Sequence, residues 1–121
     1  MISRVMRSAR AWLFCFLLAG GCARHPNTVL GKAPEGQPQP ILSLKTGDAE
    51  REVAVTGVMV EKCPVAGCWF RLRDNTGTIK VDTKSAGFVV VNVPLQSKLK
   101  VGGRIVAEGG EVALEATGVS Y

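Results

Sequence analysis

The chain has 121 residues, 46% of them hydrophobic, with 15 basic and 10 acidic residues and a formal charge of +5. Arg4, Arg7 and Arg10 supply three of those positive charges, which leaves 12 basic against 10 acidic residues after them, and nine against eight from Glu50 onward. A body this close to neutral lacks the basic footprint that nucleic-acid binding relies on. The single histidine, His25, precedes that body, so Ser-His and Cys-His chemistry is excluded within it.

The first ten residues hold the three arginines and no acid. An apolar run, Trp12-Leu13-Phe14-Cys15-Phe16-Leu17-Leu18, follows, and then Ala19-Gly20-Gly21-Cys22. A positive start, a short apolar stretch and small residues at its end are the parts of a secretory signal peptide, here residues 1–21. The stretch is too short to cross a bilayer, which takes about 20 residues.

The small residues before Cys22 resemble the lipobox of bacterial lipoproteins, with Ala19 standing where leucine is commoner. The resemblance implies a diacylglycerol on the Cys22 sulfur and a further acyl chain, such as palmitate, on its freed amine. The membrane is then a partner through this anchor, and the lipid is the only cofactor expected. Ala23 replaces the aspartate that retains such proteins at the inner membrane. This implies an outer-membrane location facing the periplasm, or the outer cell face in a Gram-positive source.

Residues 22–49 are rich in Pro, Gly, Gln and Lys, with Pro26, Pro34, Pro38 and Pro40 breaking regular structure. This composition predicts a disordered, flexible tether. Residues 50–121 are then the folded domain. A domain so small buries a limited core and gains from a covalent staple.

From Arg51 onward the pattern is that of strands. Val53 and Val55 alternate with Ala54 and Thr56. After Gly57 the apolar phase moves to Val58 and Val60, which predicts a β-bulge at the glycine. Cys68, Phe70 and Leu72 alternate with Trp69, Arg71 and Arg73, and Asp74-Asn75-Thr76-Gly77 is a turn cluster before Ile79 and Val81. Phe88–Val93 reads as another strand, stopped by Pro94. Gly102-Gly103 and Gly109-Gly110 read as turns, the second closing a hairpin onto Val112, Leu114 and Ala116. Helical periodicity is missing from the domain, so the fold class is all-β. A long bent first strand and a final hairpin after an irregular connection predict a five-stranded OB-type barrel.

The run Val55–Val60 with Cys63, Gly67-Cys68-Trp69-Phe70, Leu72, Asp74, Gly77 and Phe88 resembles a family of exported OB-fold proteins with a Gly-Cys-Trp signature and no assigned function. The resemblance implies fold and location. A fainter likeness to periplasmic haem-chaperone OB domains lacks their histidine-tyrosine motif, since His25 lies in the tether.

Cys63 and Cys68 remain after Cys15 leaves with the signal peptide and Cys22 takes lipid. Pro64-Val65-Ala66-Gly67 between them suits a tight hairpin loop that sets the two cysteines opposite each other, within disulfide reach. In an oxidising compartment such a bond contributes about 2 kcal/mol. Two other readings stay open. One is a soft-metal site for Cu(I) built from both thiolates and Met59. The other is a redox dithiol, although the spacing is Cys-x4-Cys and not Cys-x-x-Cys.

Trp69, Arg71 and Arg73 share one strand face and are the candidate binding face, for stacked bases or an anionic glycan. A plainer reading has Trp69 packed down and both arginines solvated, with Lys80, Lys98, Lys100 and Arg104 as ordinary surface charges. Glu108, Glu111 and Glu115 gather near the last hairpin and read as solvent-facing. No catalytic residue is assigned. The expected function is a non-catalytic binding module that presents its first-hairpin loop to an envelope protein or small ligand. Copper or thiol-redox chemistry at Cys63 and Cys68 is the first alternative, and single-stranded nucleic-acid binding is a weaker second.

Overall fold

The computed structural model describes residues 28–121. The expected signal peptide, Cys22 and His25 lie outside the described residues. Six strands form: β1 (Val29–Gly31), β2 (Glu52–Lys62), β3 (Trp69–Arg73), β4 (Thr78–Asp82), β5 (Lys98–Glu108) and β6 (Glu111–Ser120). Five of them close into a barrel in the order β2-β3-β4-β6-β5 and back to β2. All its pairings are antiparallel except β4 with β6. This is the OB-type architecture expected from the strand pattern.

Alternation explains which side chains fill the barrel. Val55, Met59, Phe70, Leu72, Val81, Val101, Ile105, Leu114 and Val119 are fully buried. Strand β2 serves two neighbours. Its first half pairs with β5, from Glu52↔Arg104 to Val58↔Lys98, and its second half pairs with β3, beginning at Val58↔Arg73. Gly57 sits at this handover, where a Cβ would stand 2.5 Å from the Arg73 carbonyl oxygen. The strand passes Gly57 without changing phase: Met59 continues inward from Val55, and Val58 and Val60 are half-exposed. The predicted bulge lies later, between Met59 and Glu61.

Two further expectations about the barrel are corrected. Phe88–Val93 is not a strand. Its β-branched residues serve as a plug, with Val90 and Val93 buried and a turn closed by the Val93 amide on the Val90 carbonyl at 3.0 Å. Gly102-Gly103 is not a turn but an irregular step inside β5, where the register against β6 shifts. Gly109-Gly110 does form the hairpin turn, with φ of +60° and +85°.

The segment from Thr28 to Ala49 is packed on the barrel and is not a free tether. β1 adds to the edge of β6 through Val29↔Ser120 and Gly31↔Gly118. Pro38 bridges to Ala54, and Ile41 and Leu44 enter the core at 6% and 5% exposure. Glycines make room for this strap: a Cβ on Gly118 would lie 1.5 Å from the Lys32 carbonyl oxygen, and one on Gly102 would lie 3.3 Å from Pro34. Prolines that exclude helix and central strand are compatible with an extended strap of this kind.

Candidate binding groove and cysteine loop

Trp69, Arg71 and Arg73 do share the outer face of β3, between buried Phe70 and Leu72. The structure nonetheless divides them. The Arg71 guanidinium and the Lys80 ammonium each lie 5.8 Å from the centre of the Trp69 ring. Arg71 is held there by Glu61 at 3.0 Å and Lys80 by Glu108 at 3.1 Å. The indole is thus already flanked by the chain's own cations, each paired with its own carboxylate. Of the acids near the last hairpin, Glu108 serves Lys80 and Glu115 serves Arg104, while Glu111 stands exposed.

Arg73 belongs to a different surface. Val58 pairs with Arg73 on one side and with Lys98 on the other, so the three side chains form one outward row across β3, β2 and β5. The next outward row joins Thr56, Lys100 and Ser120. These two rows, with Asn75 and Tyr121, line a groove of about 660 Å³. That volume lies in the range of small-molecule sites.

The charges of this groove are unbalanced. Arg51, Arg71, Lys80, Lys84 and Arg104 each meet a carboxylate at 3.0 to 3.6 Å. Among the described residues Arg73 and Lys98 meet none, and Lys100 bonds only to the Gly36 carbonyl, at 3.0 Å. The one acid lining the groove, Asp74, is held by donors of its own turn and of the strap. Its carboxylate accepts from the amides of Ile41, Thr76 and Gly77 and from the Thr76 hydroxyl. Burial pushes the Asp74 carboxyl up, but those four donors outweigh it and hold it below its ordinary value. The lowered value keeps Asp74 ionised, so the lining carries three cations, Arg73, Lys98 and Lys100, against this one carboxylate. In sequence Lys98 and Lys100 are ordinary surface charges, because their two-residue spacing gains meaning only once β5 is seen beside β2.

The cysteine loop lies beyond the other end of β3. Cys63 and Cys68 both stand as free cysteines in this structure. The expectation that they stand directly opposite does not hold. Cys63 is in register with Trp69 through the Cys63 amide on the Trp69 carbonyl at 3.0 Å, whereas Cys68 continues the β3–β4 ladder opposite Thr83. A one-residue offset sends neighbouring side chains to opposite faces. The Met59 expected to complete a soft-metal site is fully buried in the core and does not join them.

The loop itself is tightly held. The Gly67 amide bonds to the Cys63 carbonyl at 3.1 Å, and the Gly67 carbonyl accepts the Val90 amide at 2.9 Å. Gly67 adopts φ of +64°, and a Cβ there would meet the Val91 amide nitrogen at 2.5 Å. The backbone amides of Ala66 and Val65, against a smaller effect of desolvation, lower the Cys63 thiol to about 7. Val65 at the tip is 86% exposed. Thr83, beside Cys68, is fully buried and its hydroxyl has no partner.

These features define an OB-type barrel that carries an open cationic groove at one end of β3 and a thiol-bearing loop at the other. No family model matches the chain, and no curated protein does. Among solved structures it is similar to the hypothetical protein ygiW from E. coli, with a TM-score of 0.52 and 18% identity over 71% of this chain and 90% of that one. At that identity the likeness is one of fold alone.

Proposed function

We propose that this chain is an exported lipoprotein, anchored through Cys22 and facing the periplasm from the outer membrane, whose barrel is a non-catalytic binding module. The arginine-bearing start, the apolar run and the small residues before Cys22 support export. The observation that carries the binding role is the groove over Val58, where Arg73 and Lys98 stand without carboxylate partners while five other cations on the barrel are paired. Keeping unpaired cations together costs electrostatic energy, which an anionic ligand recovers.

Two measurements test this reading. Intact mass spectrometry of the membrane fraction should find acylated Cys22 as the first residue; an unmodified chain that still begins at Met1 would remove the export claim. The full lipoprotein in neutral detergent should bind fluorescent dextran sulfate with an affinity that falls as salt rises. Arg73→Ala with Lys98→Ala should abolish most of that binding. Equal binding by wild type and this variant would remove the groove from the proposal.

A second reading rests on Cys63. A thiol titrating at about 7 is about half thiolate at neutral pH, which suits soft-metal or thiol-exchange chemistry. Uptake of one Cu(I) per chain, lost in Cys63→Ser, would favour it; no uptake counts against it.

A further inference from the structure

We propose that the groove over Val58 is a binding site for phosphorylated sugars, a ligand class that rests on the binding role argued above. Three features of the groove select this class. The first is charge. Arg73 and Lys98 flank Val58 across three adjacent strands, and Lys100 stands two residues along β5 on the same face. Adjacent strands are about 4.8 Å apart, so these long side chains reach one anion from both sides. Two cations flank Val58, Lys100 adds to the field from its bond to the Gly36 carbonyl, and the Arg73 fork suits paired phosphate oxygens.

The second feature is hydroxyl recognition. Thr56, Ser120 and Asn75 border the same groove, so donors and acceptors stand next to the cations. The Asp74 carboxylate is held by four internal donors and pairs with none of the three cations, which outnumber it. The third is an apolar surface. Val58 forms the centre of the outer row and Tyr121, partly packed on the core, also lines the groove, which gives the carbon face of a sugar ring something to lie against. A bare inorganic anion uses only the first feature, and a neutral sugar uses only the other two.

Calorimetric titration of the full lipoprotein in neutral detergent tests the class, with glucose 6-phosphate, inorganic phosphate and glucose as probes. Glucose 6-phosphate should bind about tenfold more tightly than inorganic phosphate, and glucose should not register. Arg73→Ala and Lys98→Ala should each weaken glucose 6-phosphate about tenfold. Tyr121→Ala should weaken it while leaving phosphate unchanged, a split that mere unfolding does not produce. Retained thermal unfolding in each variant confirms folding.

If phosphate and glucose 6-phosphate bind equally, the sugar class is wrong, although the dextran sulfate result can still support the binding role. If neither probe nor dextran sulfate binds, both readings fall. A last arm separates the sources: phosphatidylcholine vesicles with or without phosphatidylinositol phosphate compete against glucose 6-phosphate. Competition by the loaded vesicles alone assigns the site to a lipid headgroup. Competition by neither leaves the free sugar phosphate as ligand.

Discussion

The carboxylate of Asp74 accepts the amide of Ile41 at 2.9 Å, joining the β3–β4 turn to a residue 33 positions earlier in the chain. The same carboxylate fixes its own turn through Thr76 and Gly77, and the Thr76 hydroxyl accepts the Leu42 amide at 3.0 Å. One side chain therefore shapes a hairpin and seats the strap on the barrel.

Asp74→Ala should destabilise the fold by about 2 kcal/mol, because it strands amides that the carboxylate now satisfies. The pH dependence follows from the direction of its shift. The folded value lies below the unfolded one, so the fold binds the charged form better. That stabilisation is complete above the ordinary carboxyl value of about 3.9 and is lost as pH falls through the lower folded value. Chemical denaturation across acid pH should show wild-type stability falling below about pH 4, with a shallower fall in Asp74→Asn. Parallel curves for the two proteins would remove Asp74 from this role.

The strap depends on Gly118. A Cβ there would overlap the Lys32 carbonyl, so Gly118→Ala should displace residues 29–36 or push β6 aside, at a cost of about 1–3 kcal/mol. Amide exchange should accelerate at Thr28 and Lys32, whose bonds to Tyr121 and Thr117 hold the strap. Gly47→Ala is the control, since nothing lies within 4 Å of its Cβ position. Unchanged exchange in Gly118→Ala would show that the strap finds another path.

The barrel was legible because its strands obey local rules. Phe70 and Leu72 alternate with arginines, and Gly109-Gly110 needs positive φ at both positions, which glycine tolerates. The strap was not legible. Ile41 and Leu44 are two apolar residues among prolines and polar residues, and only a docking site 33 residues away shows that they are anchors. Phe88–Val93 misled for the opposite reason: its local strand preference is strong, but the barrel end needs Val90 and Val93 as a plug. At the candidate site, Arg73 was visible as an outward strand residue. Its grouping with Lys98 was hidden, because it depends on the handover of β2 from β5 to β3 at Gly57.

Thr83 offers a stabilising change. Its hydroxyl is fully buried with no partner, which carries a desolvation cost and no return. Thr83→Val keeps the shape and removes that cost. It should stabilise the protein by about 1 kcal/mol, or raise Tm by about 4–8 °C. Thr83→Ala should destabilise it instead, by opening a cavity. Lower stability in Thr83→Val would mean that the hydroxyl is satisfied in solution.

Cys63 links loop geometry to reactivity. Its thiol is lowered to about 7 by amides of the turn that follows it, and that turn keeps its shape because Gly67 occupies φ of +64° against Val91. The alkylation rate of Cys63, measured with iodoacetamide in a Cys68→Ser background, should rise with pH around a midpoint of about 7. Gly67→Ala forces a side chain into the Val91 backbone, so the turn must move and its amides leave the sulfur. The midpoint should then shift toward the ordinary thiol value of about 8.5 with the barrel still folded. The link also runs into stability: the fold favours the thiolate, so this contribution is present above the unfolded thiol value and fades as pH falls through about 7. A Cys63 midpoint that Gly67→Ala leaves in place would show that the turn amides do not set its reactivity.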